Sequence, residues 1–335
     1  MIMTTDTYTF NDVLIKPKYS EVKSRKDVDI SVEFGKIVSE IPVISANMKT
    51  ITGSRMALEM GKRGAWSCLH RFNTIEEARE EYEEAKEQIP LVSIGVNGES
   101  KERFQELSNA GAKFFCVDVA HGHHILVKEM IKYIKSENAN AYVMAGNVAT
   151  PEGYKALAKW GADAVKVGIG PGSMCQTRTN TGVGVPQLWA FEQIAKQRQS
   201  LGTKSAMIVG DGGIKSVGDM AKSYKFVDAI MLGSFFAGCM ETPGDVYKRK
   251  DGSRYKVYGG SASGHNKGAN GKRPEFVEGV TEEVPLGDHV KFLLREIKEG
   301  VQSACSYVGA FNIKEFKTKC EFIRIGSGGK EESKL

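Results

Sequence analysis

The sequence predicts an α/β protein built as a (β/α)8 TIM barrel, and three observations carry that expectation. Eight short apolar runs recur along the chain, nearly continuous in apolar residues, as strands covered on both faces must be. Helical patterns lie between them, and eight such units over about 200 residues match a barrel. Polar and glycine residues gather where the runs end, which is the end at which a barrel carries its site. A doubly wound open sheet is the alternative. It usually has fewer strands and a glycine fingerprint in its first turn, and ANMKTITG after the first run is not one.

The first run is IPVISANM (41–48), ending near Asn47. AWSCLHR (65–71) closes on His70 and Arg71, and LVSIGV (91–96) opens into a loop with Gly95 and Asn97. FFCVDVAHG (114–122) brings Asp118 and His121 to its end, and AYVMAGNV (141–148) brings Asn147. AVKVGIG (164–170) ends in Gly168 and Gly170, SAMIVGDGG (205–213) in Asp211, Gly212 and Gly213, and AIMLGSFFAG (229–238) passes through Gly233 and Ser234. Between runs, TIEEAREEYEEAKEQI and GHHILVKEMIKYIKSEN have helical patterns. After the eighth run, KRKDGSRYKVY predicts a hairpin turning at Asp251-Gly252. The polar, glycine-rich GHNKGANGKRPEF is expected to form a mobile flap over the mouth, the flap as a whole covering about 243–283. DHVKFLLREIKEGVQSACSYVGAFNIKEF predicts a long amphipathic helix and a connection. The expected organisation is one catalytic barrel domain over 1–325 and a disordered tail over 326–335.

Composition narrows the function classes. No run of about 18 apolar residues occurs, so no membrane span is expected, and MIMTTDTYTF does not resemble a secretion signal. Six cysteines are scattered without a CxxC pair, as in an intracellular protein with reduced thiols. The net charge of +5 is spread along the chain, which favours a small anionic ligand over nucleic acid.

The stretch VKVGIGPGSMCQTRTNTGVG (165–184) sets Cys175 in a glycine-rich loop. Consecutive unobstructed N–H groups there can bind an anion or stabilise a thiolate, and the loop carbonyls can equally hold a monovalent cation. A thiol so placed is a candidate nucleophile, although free cysteines are more often buried hydrophobes. The N–H groups of Gly212, Gly213, Gly233 and Ser234 suit the phosphate site that barrels build after strands seven and eight. Asp211 would repel a phosphate and suits ribose hydroxyls. The residues therefore point to a ligand with a phosphate and a sugar, its reacting part near Cys175.

KVGIGPGSMCQTR, TGVGVPQ, GDGGI, MLGSFFAG and YGGSAS, in this order, resemble the IMP dehydrogenase / GMP reductase family, and the resemblance extends from FNDVLIKPKYSEVKSR to SACSYVGA and EFIRI. It implies covalent attack of Cys175 on C2 of a purine nucleotide and hydride exchange at C2 with a nicotinamide cofactor. Three features favour the reductase branch. Only about twenty residues separate runs two and three, so no regulatory domain is inserted. The flap lacks the Arg-Tyr pair with which dehydrogenases activate water. TGVG stands where dehydrogenases commonly have Ala-Gly. The implied reaction is NADPH-dependent reductive deamination of GMP to IMP and ammonia, in purine nucleotide salvage. The alternatives are an IMP dehydrogenase lacking its regulatory domain and a catalytically silent purine-nucleotide-binding barrel.

The resemblance also implies roles. Cys175 is the nucleophile, Thr177 and Glu278 form a proton relay, and Asp118 and Arg71 line the opposite side. Asp211 holds ribose, and Ser173, Gly212, Gly213, Gly233, Ser234, Gly260, Ser261 and Gly279 surround the nucleotide. Arg178, Gly95, Asn97 and Asn147 meet NADPH, while Ser303 and Tyr307 contact its adenine end from a neighbouring subunit of a homotetramer. The carbonyls of Gly170, Gly172 and Cys175 bind potassium. Departures are Arg71 where many reductases have Lys, Lys49 where much of the family has Asp, Gln176 beside the cysteine, and Glu275 near a position that other reductases fill with Arg. An arginine stays protonated and is a poor proton donor. A cytoplasmic location is expected; the ending Ser333-Lys334-Leu335 matches a peroxisomal address in a eukaryote.

Overall fold

A computed structural model describes residues 7–202, 205–260 and 279–332. Eight parallel strands close into a barrel: Val43–Ser45, Trp66–Leu69, Leu91–Ile94, Phe114–Asp118, Tyr142–Val148, Ala164–Val167, Met207–Asp211 and Ala229–Leu232. Each lies inside one of the eight apolar runs. The eighth strand pairs with the first, Met231 opposite Ile44, which closes the ring.

Alternation along each strand separates two cores. Ile44, Trp66, Cys68, Phe114, Cys116, Met144, Ala164, Val209 and Met231 fill the interior. Their neighbours Val43, Phe115, Val117, Val165 and Ile208 face outward against the helices. The interior is stoppered at the strands' N-terminal end by Phe34, from the hairpin Val32–Phe34 and Ile37–Ser39. Its ring lies 4.5 Å from Trp66, and Trp66 lies 5.2 Å from Phe114. Burying each such aromatic side chain is worth roughly 2–3 kcal/mol.

The helices begin where local chemistry starts them. Thr74 Oγ1 accepts from Glu77 N and Glu77 Oε2 accepts from Thr74 N, opening Ile75–Ala85. Thr150 caps Pro151–Trp160, with proline at the first helical position, and Gly161 ends it in the left-handed region. That helix Ile75–Ala85 and a short turn make up the link between the second and third strands, with no inserted domain.

The hairpin expected at Asp251-Gly252 is the start of a three-stranded antiparallel sheet, Tyr247–Lys248, Arg254–Gly259 and Thr281–Pro285. Lys256 anchors it: its buried ammonium donates to Thr242 O at 2.6 Å and Thr242 Oγ1 at 3.0 Å, in the segment after the eighth strand. GHNKGANGKRPEF lies outside the described residues. The long helix is Val290–Tyr307, followed by Ile313–Lys319. Beyond it Phe322–Arg324 pairs with Val13–Ile15, so the two ends of the chain share a ladder. The tail departs from expectation. Ser327–Glu332 is helical, and Lys330 pairs with Asp12, which the short N-terminal turn Phe10–Asp12 holds in place.

Candidate active site

The loop after the sixth strand crosses the barrel mouth because glycine lets it. Gly168 has φ +153°, and a Cβ there would fall 1.9 Å from Asp211 O, so only glycine allows the sixth and seventh strand ends to meet. At Gly170, φ +85°, a Cβ would fall 2.6 Å from Arg178 Cγ. Arg178 thus folds back on its own loop, where its guanidinium donates to Val185 O. The loop ends in a tight turn, Cys175 N donating to Gly172 O at 3.1 Å, and the short helix Thr177–Thr181 follows.

Cys175 differs from the other five cysteines. It alone is partly exposed; Cys68, Cys116, Cys239, Cys305 and Cys320 are buried. Burial pushes the Cys239 and Cys305 thiols up to about 12 and that of Cys320 up to about 11, where thiolate is negligible near neutrality. The Cys175 thiol instead donates to Thr177 Oγ1 at 3.1 Å. The flap sheet is stitched to this loop. Cys175 bridges Gly279, Val280 N donates to Met174 O at 3.2 Å, and Gly260 N donates to Val280 O at 3.0 Å. A Cβ on Gly260 would press on Met174 Cβ and O, each at 3.1 Å. Gly260 and Gly279 are therefore beside the cysteine; Ser261 and Glu278 lie outside the described residues.

Around the rim, Gly212 and Gly213 take φ +86° and +75° close against Pro171, a left-handed backbone that favours glycine at both positions. A Cβ on Gly233 would fall 2.9 Å from Met48 Sδ and 3.1 Å from the Tyr258 hydroxyl. Ser234 begins the short turn after it and is exposed, as is Ser173. Tyr258 is buried between these loops. Burial pushes its pKa up to about 12, against the opposing effect of its hydrogen bond with Ser173, so it stays a neutral hydroxyl. Sequence reasoning missed Tyr258, which reads as one more aromatic in a hairpin.

The floor of the mouth is a charged cluster. Lys166 is 1 % exposed, and its ammonium lies 2.7 Å from Asp118 Oδ1, 3.3 Å from Asp211 Oδ2 and 3.4 Å from Asn47 Oδ1. Burial alone would lower the pKa of this lysine; the Asp118 and Asp211 charges outweigh burial and hold it well above the ordinary range. Burial alone would likewise raise the Asp118 carboxyl; Lys166 and Arg71 outweigh it and keep Asp118 below the ordinary carboxylate range. Arg71 Nε approaches Asp118 Oδ2 at 3.8 Å. Asn147 Nδ2 donates to Gly168 O at 2.9 Å and Asp211 Oδ2 at 2.8 Å, tying the fifth, sixth and seventh strand ends together. Gly95 belongs here too, since a Cβ would fall 3.5 Å from Arg71 Nη1; Asn97 follows on an exposed loop. Lys166 was absent from the sequence-derived candidates. Its one signal is a lysine at an inward position of the apolar run AVKVGIG.

Ser303 and Tyr307 are not part of this group. The helix carrying them packs against helix Val217–Ser223 and the turn Arg25–Asp27, with Gln302 donating to Val28 O and Tyr307 O accepting from Lys18 N.

The comparisons with known proteins agree with this geometry. A sequence model described as "IMP dehydrogenase / GMP reductase domain" matches residues 7–335. A protein named GMP reductase from Ligilactobacillus salivarius is 40% identical over 308 residues, covering 90% of this chain and 91% of its own. GMP reductases from Leptothrix cholodnii, 39% identical over 96% of this chain and 97% of theirs, and from Lactobacillus acidophilus, 37% over 93% of each, are similarly close.

Proposed function

The chain belongs to the IMP dehydrogenase / GMP reductase family, and from that premise we propose that it catalyses the reductive deamination of GMP to IMP. The observation that carries the reading is the partly exposed Cys175, bonded to Thr177 at 3.1 Å, above a floor of polar groups in a barrel of this family. The relatives' shared name supports reduction of GMP over oxidation of IMP.

The chemistry assigned to the chain's own residues balances as follows. The Cys175 sulfur bonds to C2 of the guanine ring, its proton passing to the ring. The exocyclic C2–N bond then breaks, and the nitrogen leaves as ammonia, taking up a proton from the solvent-linked relay. This leaves a thioimidate, with C2 bonded to sulfur and doubly bonded to a ring nitrogen. After reduction at C2 the carbon–sulfur bond breaks and the ring gives back the proton it took, restoring the Cys175 thiol and releasing IMP. Thr177 holds the thiol proton before attack; Glu278 is proposed as its partner in the relay. Asp211 orients the ribose, and the N–H groups of Gly212, Gly213, Gly233 and Ser234, with Ser173, Gly260, Ser261 and Gly279, enclose the rest of the nucleotide.

Bound NADPH supplies the hydride. The residues on the Asp118 side fit its nicotinamide amide: Asn147 Oδ1 and Arg71 Nε are buried without hydrogen-bond partners among the described residues. A carboxamide supplies both a donor and an acceptor. Gly95, Asn97 and Arg178 are proposed to meet the rest of the cofactor, and a homotetramer would bring Ser303 and Tyr307 of a neighbouring copy to its far end. The Gly170, Gly172 and Cys175 carbonyls are proposed as three of the oxygens of a potassium site, which would need others to complete it. No step runs through a cation. A cytoplasmic setting is part of the proposal and rests on the bacterial relatives, which lend no support to a peroxisomal one; no helix among the described residues is long and apolar enough to cross a membrane.

The test is to mix the protein with GMP and NADPH and follow nicotinamide absorbance and ammonia together. One ammonia released per NADPH oxidised supports the reading. Formation of XMP from IMP and NAD with no reaction of GMP would replace it with the dehydrogenase.

A further inference from the structure

Lys166 occupies an inward position of the sixth strand, and its ammonium meets oxygens of Asp118, Asp211 and Asn47, with Met231 Sδ farther off at 4.0 Å. The two carboxylates serve different sides of the mouth. Asp211 takes Lys166 and Asn147 on Oδ2, and its Oδ1 accepts no bond from the described residues, leaving that oxygen for a ligand hydroxyl. Asp118 takes Lys166 on Oδ1 and turns Oδ2 toward Arg71. The one buried cation between them bonds to both carboxylates, so a single ammonium holds the two in place.

We propose that Lys166 is a positioning residue that couples the nucleotide side of the site to the cofactor side, by holding Asp211 aimed at the ribose while it also pairs with Asp118. The proposal rests on the functional reading above and deepens it. Without the ammonium, Asp118 and Asp211 repel each other as like charges with nothing between them, and Asp211 loses its aim at the ribose hydroxyls. Removing Asp118's charge as well ends the repulsion. A lysine that merely fills space or braces the strand produces no such reversal.

The experiment is a double-mutant cycle on the full chain, read as the GMP dissociation constant by calorimetry without cofactor, with thermal unfolding as the folding control. Lys166→Met is expected to weaken GMP binding by about tenfold or more, the scale of a coupling of this kind. Adding Asp118→Asn, which restores the original net charge of the cluster, is expected to bring the constant back to within about threefold of Asp118→Asn alone. Additive losses, or a double variant as weak as Lys166→Met, overturn the coupling. If Lys166→Met does not fold, the double variant decides. A folded double variant that binds GMP like Asp118→Asn supports the proposal, and one that fails to fold or bind while Asp118→Asn binds overturns it. Unaltered protein that binds no GMP overturns the functional reading itself, and this inference with it.

Discussion

At the scale of single residues, like groups differ sharply in their surroundings. Six thiols share the chain, and five are removed from chemistry by burial, so reactivity concentrates at Cys175. Cys175→Ser is expected to lower turnover by on the order of 10³-fold or more while leaving GMP affinity within a few-fold, as loss of a nucleophile does. Steady-state rates beside calorimetric binding check it, and near-normal turnover by the serine variant sinks the covalent route. Cys175, Asp118, Asn147 and Asp211 were legible in the sequence because each sits where an apolar run meets a turn. Lys166 and Tyr258 were not, for a physical reason. Their importance lies in partners far along the chain, Asp118 for the lysine and Ser173 for the tyrosine, and no local pattern marks such a meeting.

At the scale of elements, the flap sheet and the cysteine loop form one unit. Gly260 lies where a side chain would strike Met174, next to the bridge between Cys175 and Gly279. Gly260→Val is expected to push the flap strand off the loop, costing about 10- to 100-fold in kcat with little change in melting temperature, since small displacements of reacting groups are expensive. Kinetics and thermal scans of the variant decide. An unchanged kcat shows that the stitch does not position the thiol. The hairpin was legible through Asp251-Gly252, with Gly252 at φ +88°, and the eight strands through their apolar runs. The Val32–Phe34 hairpin that stoppers the barrel and the Val13–Ile15 ladder with Phe322–Arg324 were not. Three-residue strands carry too little pattern, and the second pairing joins opposite ends of the chain. The helix at Ser327–Glu332 escaped because glycine and charge read as disorder, while its Lys330 pairs with Asp12.

At the scale of the whole molecule, Asp228 ties the barrel to its helices. Its carboxylate meets Arg198 and Lys317 and accepts from Ile208 N, so helices Gln187–Gln199 and Ile313–Lys319 are fastened to the seventh strand. Burial alone would raise its pKa, but Lys317 and Arg198 outweigh burial and hold it below the ordinary carboxylate range. A depressed folded pKa means stability that is fully present above the unfolded value and lost as pH falls through the folded one. Asp228→Asn is expected to cost roughly 3 kcal/mol at neutral pH, since removing one partner strands two cations. It should also flatten the fall in stability below about pH 4, where the unfolded carboxyl titrates. Denaturant unfolding at several pH values reads both, and parallel curves for variant and parent remove the clamp. The central claim, that this barrel brings a thiol to guanine C2, is tested most directly by incubating the protein with GMP, quenching in acid and locating the label by peptide mass spectrometry. The account predicts GMP less ammonia on the peptide carrying Cys175. A protein that turns over GMP and NADPH yet leaves that peptide unlabelled at every quench time contradicts it.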